Sequence, residues 1–544
     1  MTVAEAVGRT LAALGAGHVF GVVGSGNFRA THALAEAGVP FVAARHEMGA
    51  ATMADAFTRI TGDVSIVSLH QGCGLTNTLT GIAEAAKCHT PILVLTGDTA
   101  VGDETSNFFI DQDAAVAAVG AAPRRLVSAA TAVRDAAGAF LEARDARRTV
   151  VLSMPVDIQD EVVDWSPADV PMVPERHRAG TSPEAIDRLA ALLRAAERAV
   201  IVGGRGARDG RDDVRALAEA SGALLLTSAG ARGLFAGDEW ALDVMGGFAT
   251  EGAADLVREA DLVVAFGAAL NRWTTRDGEL LTAATTVHVD DRPEAFGLHL
   301  DADVTVTGDA GEVAAAVAAE LAAHPRSGLG YRTPEISERV SASRHWSEQP
   351  FEPRHEEGVV DPRELANALD RLIPAERVVV PDGGNVNCFA GAQLRVPDEQ
   401  GFVMPLAFQA IGMGLAACIG AGVARPDRVP VLGTGDGAFL MAVADLDTAV
   451  RLGLGMLVVV FDDAAYGAEI NLFRDEPEAH AIVRFPDTDL AAIARGFGCD
   501  GAVVRDVHDL GALEEWLAGP RSRPFVLDAK ISSAPSWLMA RRFE

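Results

Sequence analysis

The sequence predicts an α/β protein built from three doubly wound domains with parallel sheets. Its 544 residues are enough for about three domains of ordinary size. Short apolar runs typical of strands alternate with Ala-rich stretches of helical period, which favours parallel α/β layers. Two polar, proline-containing segments, 166–182 and 324–358, interrupt this alternation and are predicted to be linkers. We therefore expect domains at residues 1–165, 183–323 and 359–544.

The predicted strands are the apolar runs of each domain, taken in chain order. The first domain contains HVFGVVG, FVAAR, VSIVSLH and PILVLTG. The second contains AVIVGG, ALLLTS, DLVVAFG and TTVHVD, and the third contains RVVVPDGG, VPVLGTGDG, MLVVVFDD and PFVLDAKI. Helical patterns separate these runs, so we expect the strands to run parallel and to be joined by helices.

The composition excludes several classes of function. Hydrophobic residues make up 49% of the chain, which is enough for large buried cores. A net charge of −30 argues against a nucleic-acid partner. Lysine occurs only at Lys87 and Lys530, which weakens any Schiff-base mechanism. The five cysteines are scattered without metal-binding spacing, which fits a reducing cytoplasm better than a disulfide framework.

The first residues, MTVAEAVGRTLAALGAGHVFGVV, predict an amphipathic helix followed by a strand. They lack the basic segment of a secretory signal peptide. Nowhere does the chain contain an unbroken apolar run long enough to span a bilayer. We therefore expect a cytoplasmic protein with no membrane partner.

One stretch of the third predicted domain indicates a cation beside an anion. An apolar strand leads into Gly435-Asp436-Gly437, a helix follows, and a second strand ends at Asp462-Asp463. Parallel strands end at the same edge of a sheet, so Asp436 and Asp463 are expected to converge. The two glycines let backbone N–H groups approach a diphosphate, and Mg²⁺ is the natural bridge between it and the carboxylates. The alternative is an ordinary βαβ unit with acidic loop ends.

Two side chains of the first predicted domain are candidates for proton chemistry. Glu47 begins a helix after the strand FVAAR, and the alternative is a simple first-turn carboxylate stabilised by the helix dipole. His70 follows a strand at the edge where α/β sheets present functional groups, and Gln71 faces the same edge. Imidazole is well suited to proton transfer near neutral pH, but His70 could instead bond the turn backbone.

These segments resemble thiamine diphosphate-dependent enzymes of the acetolactate synthase and benzoylformate decarboxylase type. The family's cofactor motif runs from GDG through a helix and a strand to Asn-Asn, where this chain has Asp462-Asp463. The resemblance implies that Mg²⁺ binds Asp436, Asp463 and the backbone carbonyl of Ala465. The extra negative charge bears on cofactor affinity or metal preference rather than on geometry. The motif also implies cofactor contacts at Gly435, Gly437, Ala438 and Tyr466.

The first domain resembles the same family in four places. The pattern RHE-x-x-A around Glu47 implies a carboxylate that bonds N1′ of the aminopyrimidine and activates the cofactor. Relatives of the benzoylformate decarboxylase type carry a proton-handling histidine at the position of His70. The segment around Gln112 resembles an acetolactate synthase stretch with a substrate-side glutamine, and a polar loop is the alternative. The turn containing Ser25 and Gly26 resembles the loop over the substrate.

The third domain adds further residues implied by the resemblance. Gly384 and Asn385 match the loop that touches the diphosphate. Met413 matches the large apolar residue beneath the cofactor, and simple core packing is the alternative. Tyr466 and Glu469 are expected on the substrate side. The Trp-bearing stretch of acetolactate synthases is missing, so ordinary acetolactate synthesis is in doubt.

The resemblance implies pyrimidine-binding, central and diphosphate-binding domains, and a dimer or tetramer because the family's cofactor bridges two chains. It implies thiamine diphosphate and Mg²⁺ as cofactors; FAD is not expected, because the family's flavin stretch is replaced by GAALNRW. The expected reaction decarboxylates a 2-oxo acid and joins the product to an acceptor carbonyl. Simple decarboxylation, a non-catalytic homologue, and a nicotinamide dehydrogenase using the glycines of 203–206 are the alternatives.

Overall fold

Three parallel sheets, each with its own helices, make up the protein. The computed structural model describes residues 1–176 and 178–532. Every pairing between neighbouring strands of these sheets is parallel, as the alternation of apolar runs and helical patterns predicts. Successive residues of a strand enter different cores: Ile66 packs in one cluster, whereas Val67 and Leu69 pack in another. Both faces of the first sheet are therefore covered, which defines the doubly wound arrangement.

The first sheet has six strands in the order β2-β1-β3-β4-β6-β5. The strands are β1 (Val19–Gly21), β2 (Phe41–Ala43), β3 (Ser65–Leu69), β4 (Ile92–Asp98), β5 (Ala122–Arg125) and β6 (Val150–Pro155). The helices are α1 (Val3–Ala13), α2 (Phe28–Glu36), α3 (Glu47–Thr61), α4 (Cys73–Lys87), α5 (Gln112–Ala118), α6 (Ala132–Asp145) and α7 (Val156–Asp160).

The second sheet has six strands in the order β12-β11-β10-β7-β8-β9. The strands are β7 (Ala199–Gly203), β8 (Leu224–Thr227), β9 (Ala241–Val244), β10 (Leu262–Phe266), β11 (Thr285–Asp290) and β12 (Val304–Thr307). The helices are α8 (Pro183–Ala195), α9 (Arg211–Ser221), α10 (Glu251–Arg258), α11 (Arg272–Thr275), α12 (Ala310–Ala323) and α13 (Pro334–Ser343).

The third sheet has five strands in the order β13-β14-β15-β17-β16. The strands are β13 (Arg377–Pro381), β14 (Val429–Gly435), β15 (Leu457–Asp462), β16 (Asp500–Val504) and β17 (Phe525–Lys530). The helices are α14 (Pro362–Leu372), α15 (Asn387–Gln393), α16 (Gly414–Ala424), α17 (Asp436–Ala442), α18 (Leu446–Arg451), α19 (Gly467–Leu472), α20 (Leu490–Gly496) and α21 (Gly511–Ala518).

The segment 324–358, predicted to be a linker, contains helix α13. Thr333 caps this helix by accepting a hydrogen bond from Ile336 N, and proline occupies its first turn. Ile336 and Val340 pack into a core cluster of the second sheet. The helix is short and has few apolar positions, so the polar composition of the segment led to the prediction of a linker. The pair Thr333-Pro334 is a signal for a helix start that could have identified it.

Helices α3 and α16 pack the first and third domains against each other within one chain. Met53 of α3 and Ile419 of α16 belong to the same buried cluster. A side-chain carbon on Gly420 would lie 2.2 Å from the carbonyl oxygen of Met53, so the helices approach as closely as they do only because position 420 is glycine. Among residues 1–176 and 178–532, no helix is both long enough and apolar enough to cross a membrane.

Candidate active site

Glu47 and Asn77 form a hydrogen-bonded pair at the beginning of α3 and α4. α3 starts at Glu47, and His46 caps it by accepting a hydrogen bond from Met48 N. The Nδ2 of Asn77 donates to Glu47 Oε2 at 3.0 Å. Gly74 lies between this pair and His70, since a carbon added there would lie 3.8 Å from Glu47 Oε1 and 3.3 Å from His70 Cβ. The half-buried carboxylate is thus held in one orientation at the edge of the first sheet.

His70 directly follows β3 and lies against the loop after β1, which contains Ser25. Its Nδ1 is 3.2 Å from the carbonyl oxygen of Gln71, and its Nε2 is 3.3 Å from Ser25 Oγ. A carbonyl oxygen only accepts, so Nδ1 carries the proton in neutral imidazole and Nε2 is the acceptor. A carbon added to Gly24 would lie 2.2 Å from the ring, and the Phe108 ring centroid is 4.9 Å away. The basic nitrogen of His70 therefore points to exposed Ser25 rather than into the core.

The two predicted glutamines lie deeper than His70. Gln112 is 1% exposed; its Oε1 accepts from Gly72 N and its Nε2 donates to the Gly97 carbonyl, both at 3.0 Å. This amide is therefore occupied in bracing the turn before α4. The Oε1 of Gln71 is buried without a hydrogen-bond partner among the described residues. It lies against Gly26, where an added carbon would be 1.7 Å from it.

Asp436 and Asp463 stand at the ends of two neighbouring strands of the third sheet. Gly435 pairs with Phe461 in the β14–β15 ladder, Asp436 begins α17, and Asp463 follows β15. Burial raises the pKa of Asp436 to about 7, and the nearby Asp462 charge adds to the effect. Burial and the charge of Asp436 likewise raise the pKa of Asp463 to about 7. Each carboxylate is thus costly to ionise until a cation offsets its charge.

Asp462 is held differently from its neighbour Asp463. Its Oδ2 accepts from Lys530 Nζ at 2.5 Å, and its Oδ1 accepts from Ala464 N at 2.9 Å. The Asp463 carboxylate instead lies beside the start of α19, where a carbon added to Gly467 would be 2.1 Å from Asp463 Oδ2. The two aspartates therefore face different surroundings, a difference that the sequence does not reveal.

Ala465 and Tyr466 continue this loop. Ala465 forms an antiparallel bridge with Arg484, and Tyr466 N donates to the Val483 carbonyl at 2.9 Å. The Tyr466 ring covers Gly437, where an added carbon would lie 2.5 Å from the ring. Glu469, one turn further on, is exposed.

The loop after β13 lies against both β14 and α19. A carbon added to Gly435 would lie 3.8 Å from Val386, and one added to Gly467 would lie 3.6 Å from Asn385 Cβ. Gly384 has a φ of +99°, a left-handed conformation that favours glycine. The predicted residues Gly384 and Asn385 are thereby brought next to the two carboxylate-bearing loops.

Asp382 is a residue that the sequence analysis did not select. Its Oδ1 accepts from Gly412 N at 3.1 Å, and its Oδ2 accepts from Gly414 N at 3.2 Å and from Thr434 Oγ1 at 3.1 Å. Burial raises the pKa of this carboxyl. Asp382 thus ties the start of α16 to the end of β14. An aspartate directly after a predicted strand is the pattern that led to Asp463, and the same pattern after β13 could have identified Asp382.

Met413 immediately precedes α16 and is fully buried. A carbon added to the neighbouring Gly412 would lie 3.4 Å from the Ala438 carbonyl, so the α16 start and α17 are in contact. Gly412 itself has a φ of +82°. Met413 is therefore held at the boundary between the core and the loops that carry Asp436 and Asp382.

The oxygen donors of the third domain fit a hard divalent cation that phosphate oxygens would also coordinate. Asp436 and Asp463 supply carboxylate oxygens, the kind that Mg²⁺ prefers. No cluster of three or more His, Cys, Asp or Glu side chains in residues 1–176 and 178–532 is arranged to hold a metal. A cation here would therefore need oxygens from the backbone and from a bound anion as well.

Comparison with known proteins assigns all three sheets to one family. The family model described as "Thiamine pyrophosphate enzyme, N-terminal TPP binding domain" matches residues 1–118. The central domain of the same family matches residues 186–317, and its C-terminal TPP binding domain matches residues 382–529.

Full-length relatives agree with this assignment. A sulfoacetaldehyde acetyltransferase of Castellaniella defragrans is 28% identical over 544 residues, covering 94% of this chain and 89% of the relative. An acetolactate synthase large subunit of Parasynechococcus marenigrum is 29% identical, covering 87% of this chain and 77% of the relative. A probable 2-ketoarginine decarboxylase of Pseudomonas aeruginosa is 28% identical, covering 94% and 91%. The chain belongs to the thiamine pyrophosphate enzyme family, as its motifs predict.

Proposed function

We propose that this protein is a thiamine diphosphate- and Mg²⁺-dependent enzyme that decarboxylates a 2-oxo acid and joins the resulting fragment to an acceptor carbonyl. The observation that carries the proposal is the pair of carboxylates, Asp436 and Asp463, at the ends of neighbouring strands. Their mutual repulsion favours a divalent cation between them. Family membership supports thiamine diphosphate as the anion whose phosphates complete the site.

In this proposal the third domain binds the diphosphate end of the cofactor. Asp436, Asp463 and the carbonyl of Ala465 hold Mg²⁺. Further contacts with the cofactor are proposed for residues that lie close to the loops carrying Asp436 and Asp463. Met413 is proposed to lie beneath the cofactor. The backbone and side-chain contacts are assigned to Gly384, Asn385, Gly435, Gly437, Ala438 and Tyr466.

The first domain is proposed to bind the pyrimidine end. Thiamine diphosphate, when bound, would supply a nucleophilic carbon that adds to the keto carbon and a cationic ring that takes up the electron pair left when CO₂ departs. Glu47 hydrogen-bonds the pyrimidine ring and promotes proton removal from that carbon, while Asn77 keeps the carboxylate oriented. His70 offers Nε2 as the group that takes up or returns a proton beside Ser25.

The substrate side is proposed to combine residues from both domains. Ser25, Gly26 and Gln71 line it from the first domain, and Glu469 lines it from the third. Gln112 is proposed to act by position: its buried amide holds the Gly72 turn. The acceptor reaction is favoured because the relatives include proteins named as an acetyltransferase and a synthase. Simple decarboxylation is the second candidate, because another relative is named as a decarboxylase.

Assembly into a homodimer or homotetramer is proposed because the resemblance implies a cofactor that bridges the first domain of one chain and the third domain of another. Apolar side chains around the site residues of both domains are at least two-fifths exposed in the single chain, which favours an interface. They are Phe28, Phe108, Phe109, Leu440, Met441, Phe473, Ile482 and Phe485. All five cysteines are free, which supports a cytoplasmic location.

The central domain is proposed to work without FAD. Its two glycine loops, after β7 and β10, pack on each other: a carbon added to Gly204 would lie 2.0 Å from the Gly267 carbonyl oxygen. Arg205 projects from the same place and donates to the Cys88 carbonyl at 2.5 Å. The two loops thus contact each other at the place where α/β sheets usually bind nucleotides, which supports a central domain without a bound nucleotide.

The test is a panel of 2-oxo acids, each supplied to protein loaded with thiamine diphosphate and Mg²⁺, with and without an aldehyde or keto acceptor. We expect CO₂ release and a ligated product by mass spectrometry, formed either with the added acceptor or with a second molecule of the 2-oxo acid. An aldehyde as the sole product would favour the simple decarboxylase. Cofactor binding by calorimetry without any turnover would favour a non-catalytic homologue, and nicotinamide reduction would favour a dehydrogenase.

A further inference from the structure

Lys530 is the centre of a buried charge cluster beneath the loop that follows β15. Its Nζ lies 2.5 Å from Asp462 Oδ2, 2.8 Å from Asp487 Oδ1 and 3.2 Å from Asp528 Oδ2. It also donates to the Thr488 carbonyl at 2.7 Å. The side chains of Lys530, Asp462 and Asp528 are 6%, 3% and 0% exposed, whereas Asp487 is 61% exposed and forms the solvent side of the cluster. One ammonium group thus pairs with three carboxylates, so its removal would leave buried carboxylates without a counter-charge.

Asp462 shapes the loop that presents Asp463. Its Oδ1 accepts from Ala464 N, and Ala464 has a φ of +52°, a left-handed conformation that is costly for alanine. The hydrogen bond therefore supports a turn that would otherwise relax. Asp462, however, ends β15, so it brings a third carboxylate to the strand ends that carry Asp436 and Asp463. A neighbouring positive charge is needed if the aspartate is to shape the turn without weakening an anion site.

Lys530 also joins the elements that hold this loop. It pairs in register with Asp462 across the β15–β17 ladder. Its other partners, Asp487 and Thr488, immediately follow a segment that bonds to the loop. In that segment Phe485 N donates to the Ala464 carbonyl at 2.8 Å. One side chain thus fixes the end of β15, the end of β17 and the outer wall of the loop.

We propose that Lys530 is a positioning residue for the cation site: it neutralises Asp462, so that Asp462 shapes the turn and Asp463 alone faces the cation. This inference rests on the proposed function, because it presumes that Mg²⁺ and a diphosphate bind at Asp436 and Asp463. It deepens that proposal by explaining how adjacent aspartates are compatible with a diphosphate. Lys530 itself touches neither the cation nor the substrate.

Binding measurements test the proposal without relying on activity. Thiamine diphosphate is titrated calorimetrically at fixed Mg²⁺, and Mn²⁺ binding is followed by electron paramagnetic resonance. Lys530→Met is expected to weaken both affinities about 10- to 100-fold, as loss of a supporting residue around a metal site does. Lys530→Met combined with Asp462→Asn removes both charges together and is expected to restore affinity to within about 3-fold of the wild type.

Two further variants keep the outcome decisive. Asp500→Asn combined with Arg523→Gln removes an exposed pair 3.7 Å apart in the same domain and should leave binding unchanged. Asp462→Asn alone should bind nearly as well as the wild type, whereas Asp463→Ala, which removes the side-chain oxygens proposed to hold the cation, should not. The comparison between the Asp462 and Asp463 variants tests the proposed division of roles even if Lys530→Met fails to fold.

The proposal is overturned if folded Lys530→Met binds like the wild type. It is also overturned if Asp462→Asn loses as much affinity as Asp463→Ala, because Asp462 would then be a ligand itself. Failure of the wild type to bind thiamine diphosphate with Mg²⁺ would instead remove the proposed function on which the inference depends. The two failures are therefore distinguishable.

Discussion

Asn77 donates a hydrogen bond to Glu47 across 3.0 Å, from α4 to the first residue of α3. Strands β2 and β3, which precede these helices, lie on either side of β1, so the pair forms only when the sheet is assembled. The bond fixes the direction of a half-buried carboxylate. A group that must meet one nitrogen of a bound ring needs this kind of fixed direction.

Glu47→Gln should lower turnover of a 2-oxo acid by about 10²-fold or more, since the proposed general acid–base group is removed. The change is nearly isosteric, so binding of thiamine diphosphate should persist. Exchange of the cofactor's reactive proton with deuterium, followed by NMR after quenching, measures the step directly. Undiminished exchange in folded Glu47→Gln would exclude the role proposed for Glu47.

His70→Ala should slow turnover by about 10²-fold while leaving the proton exchange that depends on Glu47 intact. The reason is that Nε2 of His70 faces Ser25 on the substrate side rather than the Glu47–Asn77 pair. Comparing the rate of exchange with the rate of product formation separates the two steps. Ser25→Ala is the comparison variant: it removes the partner of Nε2 but keeps the imidazole, so it should slow product formation less than His70→Ala does. Equal loss of both rates in His70→Ala would show that the histidine is not confined to the later step.

Asp436→Asn should stabilise the protein in the absence of metal but abolish stabilisation by Mg²⁺. The folded-state pKa of about 7 lies above the ordinary value of 3.8, so the folded state binds the extra proton. Stability of the metal-free wild type should therefore fall as pH rises from about 4 to 7, and stay low above that range. At about pH 8 the variant should melt at least about 2 °C higher, whereas at about pH 4 the difference should vanish.

Thermal unfolding with chelator or with Mg²⁺, at both pH values, checks this prediction. Leu440, an exposed residue on the same helix, offers a control position where substitution by alanine should change neither the pH dependence nor the Mg²⁺ effect. A metal-free Asp436→Asn protein that melts below the wild type at about pH 8 would contradict the expected repulsion.

Asp382→Asn should destabilise the third domain by roughly 1–3 kcal/mol, because an amide NH₂ would replace one of two oxygens that only accept. Its Oδ2 receives Gly414 N and Thr434 Oγ1, and a donor there leaves the buried Gly414 N–H without an acceptor. Urea denaturation measures the loss. Asp427→Asn, on an exposed carboxylate paired with Arg425 in the same domain, is the control and should cost much less. Equal midpoints for Asp382→Asn and the wild type would show that the carboxylate does not tie these loops.

Local patterns in the sequence were sufficient to predict the α/β class, the parallel strands, and the positions of Glu47, Asp436 and Asp463 at the beginnings of helices or the ends of strands. The reason is that apolar period, helix starts and glycine turns are properties of a few consecutive residues. The same patterns carried the resemblance to the thiamine diphosphate family.

Only the tertiary structure separated Asp462 from Asp463, buried the amide of Gln112 in the Gly72 turn, and revealed Asp382 as a link between loops. Each outcome depends on a partner distant in sequence, such as Lys530 for Asp462. A side chain's environment is fixed by which strands become neighbours in the sheet, and no local pattern encodes that contact.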